Sequence, residues 1–395
     1  MRSSTLRMPR KIHYGEKAFK KLAEEVTFLG AKGLIISDPV MEKLGNVRKC
    51  EQTLKNNHIR VAKYLGIESE PTDQYINKAL ELFKKEECQF IIALGGGSCI
   101  DTAKGVAVLA SNGGDISDYM NNKTVAKHNP VPLIAIPTTS GTGSEVTDVT
   151  TITNTRNDVK MMIKQTAFLP SIAIVDPEFS LSSPPNTTSA TGVDALTHAI
   201  EAYISKQAHS FTDMLALSAS KIILSNIKEA YYDGNNVEVR EKMAYASMQA
   251  GMAFSDSSVC LVHGMSRPIG AIFKVPHGIS NAMLMPAIME YNLDACTNEL
   301  AQLADNAFNN IEHLSSDEKA KHLIQEIKYL CSELNIPNLR EWGIDKNEFE
   351  NALSKMAEDA IKSGSPGNNP KVPTEKEIIS LYKKCYDYQF DLNKV

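Results

Sequence analysis

The hydrophobic positions along this 395-residue chain follow two regimes. Up to about residue 180 they come in short bursts, Gly33-Leu-Ile-Ile-Ser-Asp38, Phe90-Ile-Ile-Ala-Leu94, Leu133-Ile-Ala-Ile136 and Ile172-Ala-Ile-Val175, each bounded by Gly, Pro or Asp. Such runs suit strands buried on both faces, and intervening stretches such as Asp73 to Glu87 carry helical spacing. The alternation predicts an α/β domain with a mainly parallel sheet over residues 1–184. Thr147 to Lys164, rich in β-branched residues, predicts a hairpin added to that sheet. After Ser182-Ser-Pro-Pro-Asn186 the bursts stop and amphipathic helical patterns follow one another, so residues 185–395 are expected to be all-α. Ser315 with Glu318, Asp345 with Glu348 and Thr374 with Glu377 each pair a capping side chain with a reciprocal Glu three residues on. Ser363-Gly-Ser-Pro-Gly-Asn-Asn-Pro370 reads as a loop between the last helices.

A length of 395 residues exceeds one ordinary core, which agrees with two domains. The net charge of -5 lacks the basic footprint of a nucleic-acid binder. The basic N-terminus is not followed by the apolar core of a secretory signal. No uninterrupted apolar run reaches the roughly 18 residues of a membrane span, so a cytoplasmic location without a membrane partner is expected. The seven cysteines (50, 88, 99, 260, 296, 331 and 385) are odd in number and scattered, which fits reduced, buried thiols, Cys260 among them as core filler.

Two strand ends carry nucleotide chemistry. Gly95-Gly96-Gly97-Ser98 follows a predicted strand and opens a helix, leaving backbone amides and the helix dipole for a pyrophosphate. The turn departs from the Gly-x-Gly-x-x-Gly fingerprint and equally describes a tight turn with no ligand. Pro137-Thr138-Thr139-Ser140-Gly141-Thr142-Gly143-Ser144-Glu145 is a second such turn, dense in hydroxyls that suit phosphate and ribose or a solvated loop. Asp38 ends an earlier strand, where a carboxylate would accept from an adenosine ribose hydroxyl and repel a 2′-phosphate, favouring NAD over NADP. It also suits the N-cap of the following helix.

Metal chemistry gathers further along. Asp194 and His198 lie one helical turn apart, and His263 and His277 bracket a segment interrupted by Gly264, Pro268, Gly270 and Pro276, which is expected to turn and bring both rings to one point. Three imidazoles and a carboxylate without a thiolate fit Fe²⁺, Zn²⁺, Mn²⁺ or Co²⁺, and the affinity order alone favours zinc over iron.

Taken together, Gly95-Gly-Gly-Ser98 with Asp101 and Lys104, Pro137 to Glu145, Asp194-Ala-Leu-Thr-His198-Ala-Ile-Glu201, and His263 to His277 followed by Gly278-Ile-Ser-Asn281 resemble the iron-containing (group III) alcohol dehydrogenase family, in its lactaldehyde reductase and 1,3-propanediol dehydrogenase branch. The resemblance covers essentially the whole chain. It implies a dehydroquinate synthase-like architecture, with an α/β dinucleotide-binding domain, an all-α metal-binding domain, a cleft between them, and a homodimer or larger assembly. It further implies Fe²⁺ held by Asp194, His198, His263 and His277, with Zn²⁺ as the substitute. Gly96, Gly97, Ser98, Thr138, Thr139 and Thr142 match cofactor contacts, Asp101 falls in the same motif, and Lys160 matches a lysine on the nicotinamide ribose or else is a solvated hairpin residue. The implied activity is hydride transfer between NAD (or NADP) and a small primary alcohol, diol or aldehyde, with Phe254 in a short apolar substrate wall. The alternatives are a dehydroquinate synthase-type lyase or cyclase and a non-catalytic nucleotide-binding or metal-storing protein. One departure stands out: many members of the family it resembles carry His, a candidate proton carrier, where this chain has Arg267, and a guanidinium cannot deliver protons near neutral pH. Arg267 is expected either to favour an anionic or polyhydroxylated substrate or to form a structural ion pair.

Overall fold

The computed structural model describes residues 4–390, so the first three residues of the basic N-terminus lie outside it. The contacts divide the chain into two compact units, one built on Leu6–Ser183 with Gly234–Met248, the other on Pro184–Asp233 and the residues from Gln249 on.

In the first unit the order is β1 (Lys11–Tyr14), α1 (Leu22–Val26), β2 (Lys32–Ile36), α2 (Pro39–Lys43), α3 (Asn46–Asn56), β3 (Arg60–Tyr64), α4 (Asp73–Lys85), β4 (Phe90–Gly95), α5 (Gly97–Asn112), β5 (Leu133–Pro137), β6 (Val149–Asn154), β7 (Val159–Lys164) and β8 (Ile172–Val175). Six strands form one parallel sheet in the order β1-β8-β5-β4-β2-β3. The four apolar bursts became its central strands, and their alternating residues serve two cores. Leu34, Ile36, Ile91, Ala93, Leu133 and Ala135 pack on α4 and α5. Ile35, Ile92, Leu94, Ile134, Ile172 and Ile174 pack on the other face against Leu22, Val26, Val47, Cys50 and Leu54 of α1 and α3. Helices on both faces explain why these strands read as unbroken hydrophobic runs.

Two strands escape that pattern, because β1 and β3 are the sheet edges and keep exposed positions. The hairpin expected to extend the sheet does not do so: β6 and β7 pair antiparallel as a separate two-stranded sheet. Its apolar residues Ile152, Met161 and Ile163 join the core over α4 and α5, so burial against helices, not edge pairing, sets its place.

The remaining helices are α6 (Pro185–Ile204), α7 (Ser210–Tyr232), α8 (Val237–Ser257), α9 (Leu261–Phe273), α10 (His277–Asn292), α11 (Thr297–Ala307), α12 (Ser316–Glu333), α13 (Lys346–Lys362) and α14 (Glu375–Tyr386). Capping boxes start α12 at Ser315 and α14 at Thr374, whereas Asp345 caps α13 by accepting from the amides of Asn347 and Glu348. The predicted loop after α13 holds a short 3-10 turn at Ser365–Asn368. All seven cysteines are buried and none is disulfide-bonded. Among the described residues no helix is long and apolar enough to cross a membrane.

Candidate metal and nucleotide sites

In the helical unit, α6, α9 and α10 converge. Asp194 and His198 project one turn apart from α6, and His263 and His277 open α9 and α10. One donor atom from each of the four can be chosen so that all lie within 4.8 Å of one another. His263 Nε2 stands 3.5 Å from Asp194 Oδ1, and His198 Nδ1 stands 3.9 Å from the same oxygen. The His198 and His263 ring centroids are 4.3 Å apart, and Phe254 stacks on His198, also at 4.3 Å.

The approach of α10 to α6 needs glycine at 278, since a Cβ there would stand 2.9 Å from the carbonyl oxygen of Ala190. The segment between the last two histidines departs from its expected form. It is helical through Gly264, Pro268 and Gly270 to Phe273, and it turns only at Lys274, in the left-handed region at φ 57°, before Pro276. Burial of α9 from Leu261 to Ile269 outweighs the local cost of Pro268.

These residues fit a divalent cation. Asp194, His198 and His263 are at most 4% exposed, and His263 Nε2 is buried without a hydrogen-bond partner, a cost that a metal–nitrogen bond would remove. Burial alone would raise the carboxyl pKa of Asp194, but the imidazoles outweigh it and hold the group well below the usual carboxylate range. Burial likewise opposes charge on His263, yet the adjoining carboxylates of Asp194 and Glu201 raise its pKa. An oxygen-and-nitrogen donor set without sulfur suits the iron-to-zinc range of ions.

Two flanking residues add to the expected set. Glu201 of α6 is fully buried and contacts His263 Nδ1 through Oε2 at 2.7 Å. Asn281, one turn after His277, donates to Asp194 Oδ1 at 2.7 Å. Helical spacing could have found both, since 194, 198 and 201 share one face, as do 277 and 281.

Arg267 lies one turn beyond His263, 6% exposed, and its Nη1 donates to Ser365 Oγ at 2.8 Å. Burial lowers its pKa to about 10, with Glu201 opposing, so it stays charged at neutral pH. Cys260 is buried at the N-terminus of α9, and burial pushes its thiol pKa well up.

In the α/β unit, β2 connects outward to β3, and the chain then returns to β4 on the other side of β2 before continuing to β5. This reversal between β2 and β4 is the switch point at whose carboxyl ends α/β sheets bind ligands. The two predicted turns lie there side by side: Gly95 pairs with Pro137 in register, and Thr138 N donates to Gly95 O at 3.1 Å. A Cβ on Gly97 would come within 2.8 Å of Thr142 Cγ2, so glycine is what lets these turns pack. Gly96, as the N-cap of α5, brings no side chain to its amides, and no acidic residue occupies the first turn around Ser98. Thr139 also belongs to this edge, 3.5 Å from where a Gly96 Cβ would be.

The other expected contacts have internal partners. Asp38 at the end of β2 caps α2, accepting from Met41 N at 2.8 Å, while Cys99 Sγ lies 3.5 Å from its other oxygen. Asp101 accepts from Ser144 Oγ and, at 2.7 Å, from Thr151 N, tying α5 to the second turn and the hairpin. Lys104, 0% exposed, completes this link by donating to Thr147 Oγ1 at 3.0 Å and Val149 O at 2.6 Å. Lys160 on β7 pairs with Glu70 at 3.0 Å.

The iron-containing alcohol dehydrogenase model matches residues 9–177, and the C-terminal model of the Fe-containing alcohol dehydrogenase family matches residues 188–386. The chain is 38% identical over 377 residues to a 1,3-propanediol dehydrogenase of Citrobacter freundii, covering 94% of this chain and 96% of the relative. It is 35% identical over 373 residues to an NAD-dependent methanol dehydrogenase of Bacillus methanolicus, covering 94% and 97%. The crystal structure of a 1,3-propanediol oxidoreductase superposes with a TM-score of 0.93 at 36% identity, covering 98% of this chain and all of the other. The chain belongs to the iron-containing alcohol dehydrogenase family. It is a metal-dependent alcohol dehydrogenase, an oxidoreductase acting on CH–OH groups.

Proposed function

We propose that the enzyme interconverts a small primary alcohol or diol and its aldehyde, using NAD and an Fe²⁺ ion held by Asp194, His198, His263 and His277. The convergence of those four donor groups within 4.8 Å carries this reading. Relatives named for propanediol and methanol support a small substrate, and the relative named NAD-dependent supports NAD. Both are named as dehydrogenases, which does not favour the lyase alternative. When bound, Fe²⁺ supplies Lewis-acid polarisation of the reacting oxygen, and NAD supplies the hydride acceptor.

The protein's own part is placement and exclusion. Asp194 offsets cation charge in a buried setting, while Phe254 covers one face of His198 and keeps water from it. Gly96, Gly97 and Ser98 present the α5 N-terminus to the pyrophosphate, and Thr138, Thr139 and Thr142 supply hydroxyls beside it. Asp38 disfavours a 2′-phosphate, and Lys160 reaches a ribose hydroxyl. Arg267 remains charged near neutrality and braces α9 against Ser365, so the alcohol proton leaves by a route that does not protonate this side chain. A homodimer or larger cytoplasmic assembly accords with the resemblance of the chain to its family.

The test is anaerobic purification, metal analysis, and assays with NAD and NADP over short alcohols, diols and aldehydes. Stoichiometric iron with preference for NAD is the expected result. Retention of full turnover after exhaustive chelation would overturn the metal assignment.

A further inference from the structure

We infer that Glu201 is a positioning residue for the metal centre, holding His263 as the Nδ1–H tautomer so that Nε2 is presented to the metal. This rests on the reading of Asp194, His198, His263 and His277 as ligands and deepens it. Glu201 lies three residues after His198 and seven after Asp194, so helical spacing aims all three from one face of α6. Its carboxylate is 0% exposed, and both oxygens accept backbone donors, Oε1 from Val262 N at 2.6 Å and Oε2 from Cys260 N at 2.9 Å. The further 2.7 Å contact from Oε2 to His263 Nδ1 is then made by a proton on Nδ1. A neutral imidazole with its proton on Nδ1 keeps a lone pair on Nε2. That nitrogen is the one buried without a hydrogen bond and 3.5 Å from Asp194 Oδ1.

The same carboxylate caps α9, whose own N-cap, Cys260, forms no side-chain cap. One buried group therefore sets both the start of the helix and the orientation of the ring that its first turn carries. Carboxylate–histidine pairs of this kind fix ligand tautomers, and their loss typically costs about 10–100-fold in metal affinity.

Glu201→Gln tests the inference, because the neutral amide keeps the side chain's shape but removes the carboxylate charge that holds the proton on Nδ1 and leaves one of the two backbone donors without an acceptor. The full-length variant loaded with Co²⁺ should bind the ion about 10–100-fold more weakly in chelator competition. It should show an altered Co²⁺ visible spectrum with unchanged NADH binding, which a purely structural role would not produce. Wild-type Co²⁺ affinity and spectrum in Glu201→Gln, with metal lost in His263→Ala, would overturn the positioning role and leave the ligand set intact. Metal retained in His263→Ala would overturn both. Should Glu201→Gln fail to fold, ¹⁵N-histidine NMR of the Zn²⁺-loaded wild type decides: a protected Nδ1–H on His263, assigned by its loss in His263→Ala, is expected, and an Nε2–H refutes the inference.

Discussion

Gly278→Ala probes how a single missing methyl group holds the proposed metal ligands together. Gly278 follows His277 in the first turn of α10, and a Cβ there would meet the Ala190 oxygen at 2.9 Å and its carbonyl carbon at 3.2 Å, with Asp194 Cβ at 3.6 Å. Ordinary contacts are about 3.5 Å or longer, so α10 must retreat by roughly half an ångström. The obstacle is helix backbone, which cannot rotate away as a side chain can. Overpacking of this kind costs about 1–3 kcal/mol. Replacing glycine in a helix interior returns at most about 1 kcal/mol, and less in a first turn, so net destabilisation is expected.

The functional effect should exceed the stability effect. Metal–ligand distances tolerate about 0.2 Å, and a half-ångström displacement of His277 from Asp194 should cost at least about tenfold in metal affinity, or ~1.4 kcal/mol. Chelator competition with Co²⁺ and melting of the metal-free and metal-loaded forms measure the two separately. Gly367→Ala is the control, since nothing lies within 4 Å of its added Cβ. If Gly278→Ala matches wild type in both affinity and metal-free melting, the account of the α6–α10 approach is wrong.

Gly97→Ala should displace Thr142, whose Cγ2 lies 2.8 Å from the new Cβ, and raise the KM for the dinucleotide by about tenfold, ~1.4 kcal/mol, with a smaller change in kcat; an unchanged KM in steady-state kinetics refutes the joint role of the two turns. Glu145 is fully buried, and burial raises its pKa from 4.5 to about 7, with a backbone hydrogen bond and Lys104 opposing. The folded protein thus binds this proton more tightly than the unfolded chain, so stability is lost as pH rises from 4.5 to about 7 and levels off above. Glu145→Gln should remove that slope, about 3 kcal/mol across the window, in urea titrations at several pH values, and parallel pH profiles for variant and wild type would refute it.

How much could be read beforehand depended on whether a residue's neighbours lay near it in sequence. Strands β2, β4, β5 and β8 were legible because burial on both faces leaves a continuous apolar run. The edge strands β1 and β3 were not, since half-exposed positions erase that run. The hairpin was recognised from its β-branched residues, but its separation from the sheet depends on Ile152, Met161 and Ile163 packing over α5, a long-range preference. Asp194 and His198 announced themselves by i,i+4 spacing. Glu201 carried an equally plain spacing signal, but its role emerges only when α9 brings its amides and His263 against it. Pro268 misled for the converse reason, because a local breaker was overridden by a buried helix. Similarly, Asp101 follows the glycine turn at the start of α5, yet its bonds to Ser144 and Thr151 appear only once β6 has folded over α5.

The proposed metal centre stands or falls on the metal content and NAD-linked turnover of Asp194→Ala, measured beside its NADH affinity. The expected variant binds NADH as wild type does, holds no metal, and turns over less than about one-thousandth as fast, a barrier increase of ~4 kcal/mol. A variant that keeps both its metal and its turnover would contradict the assignment.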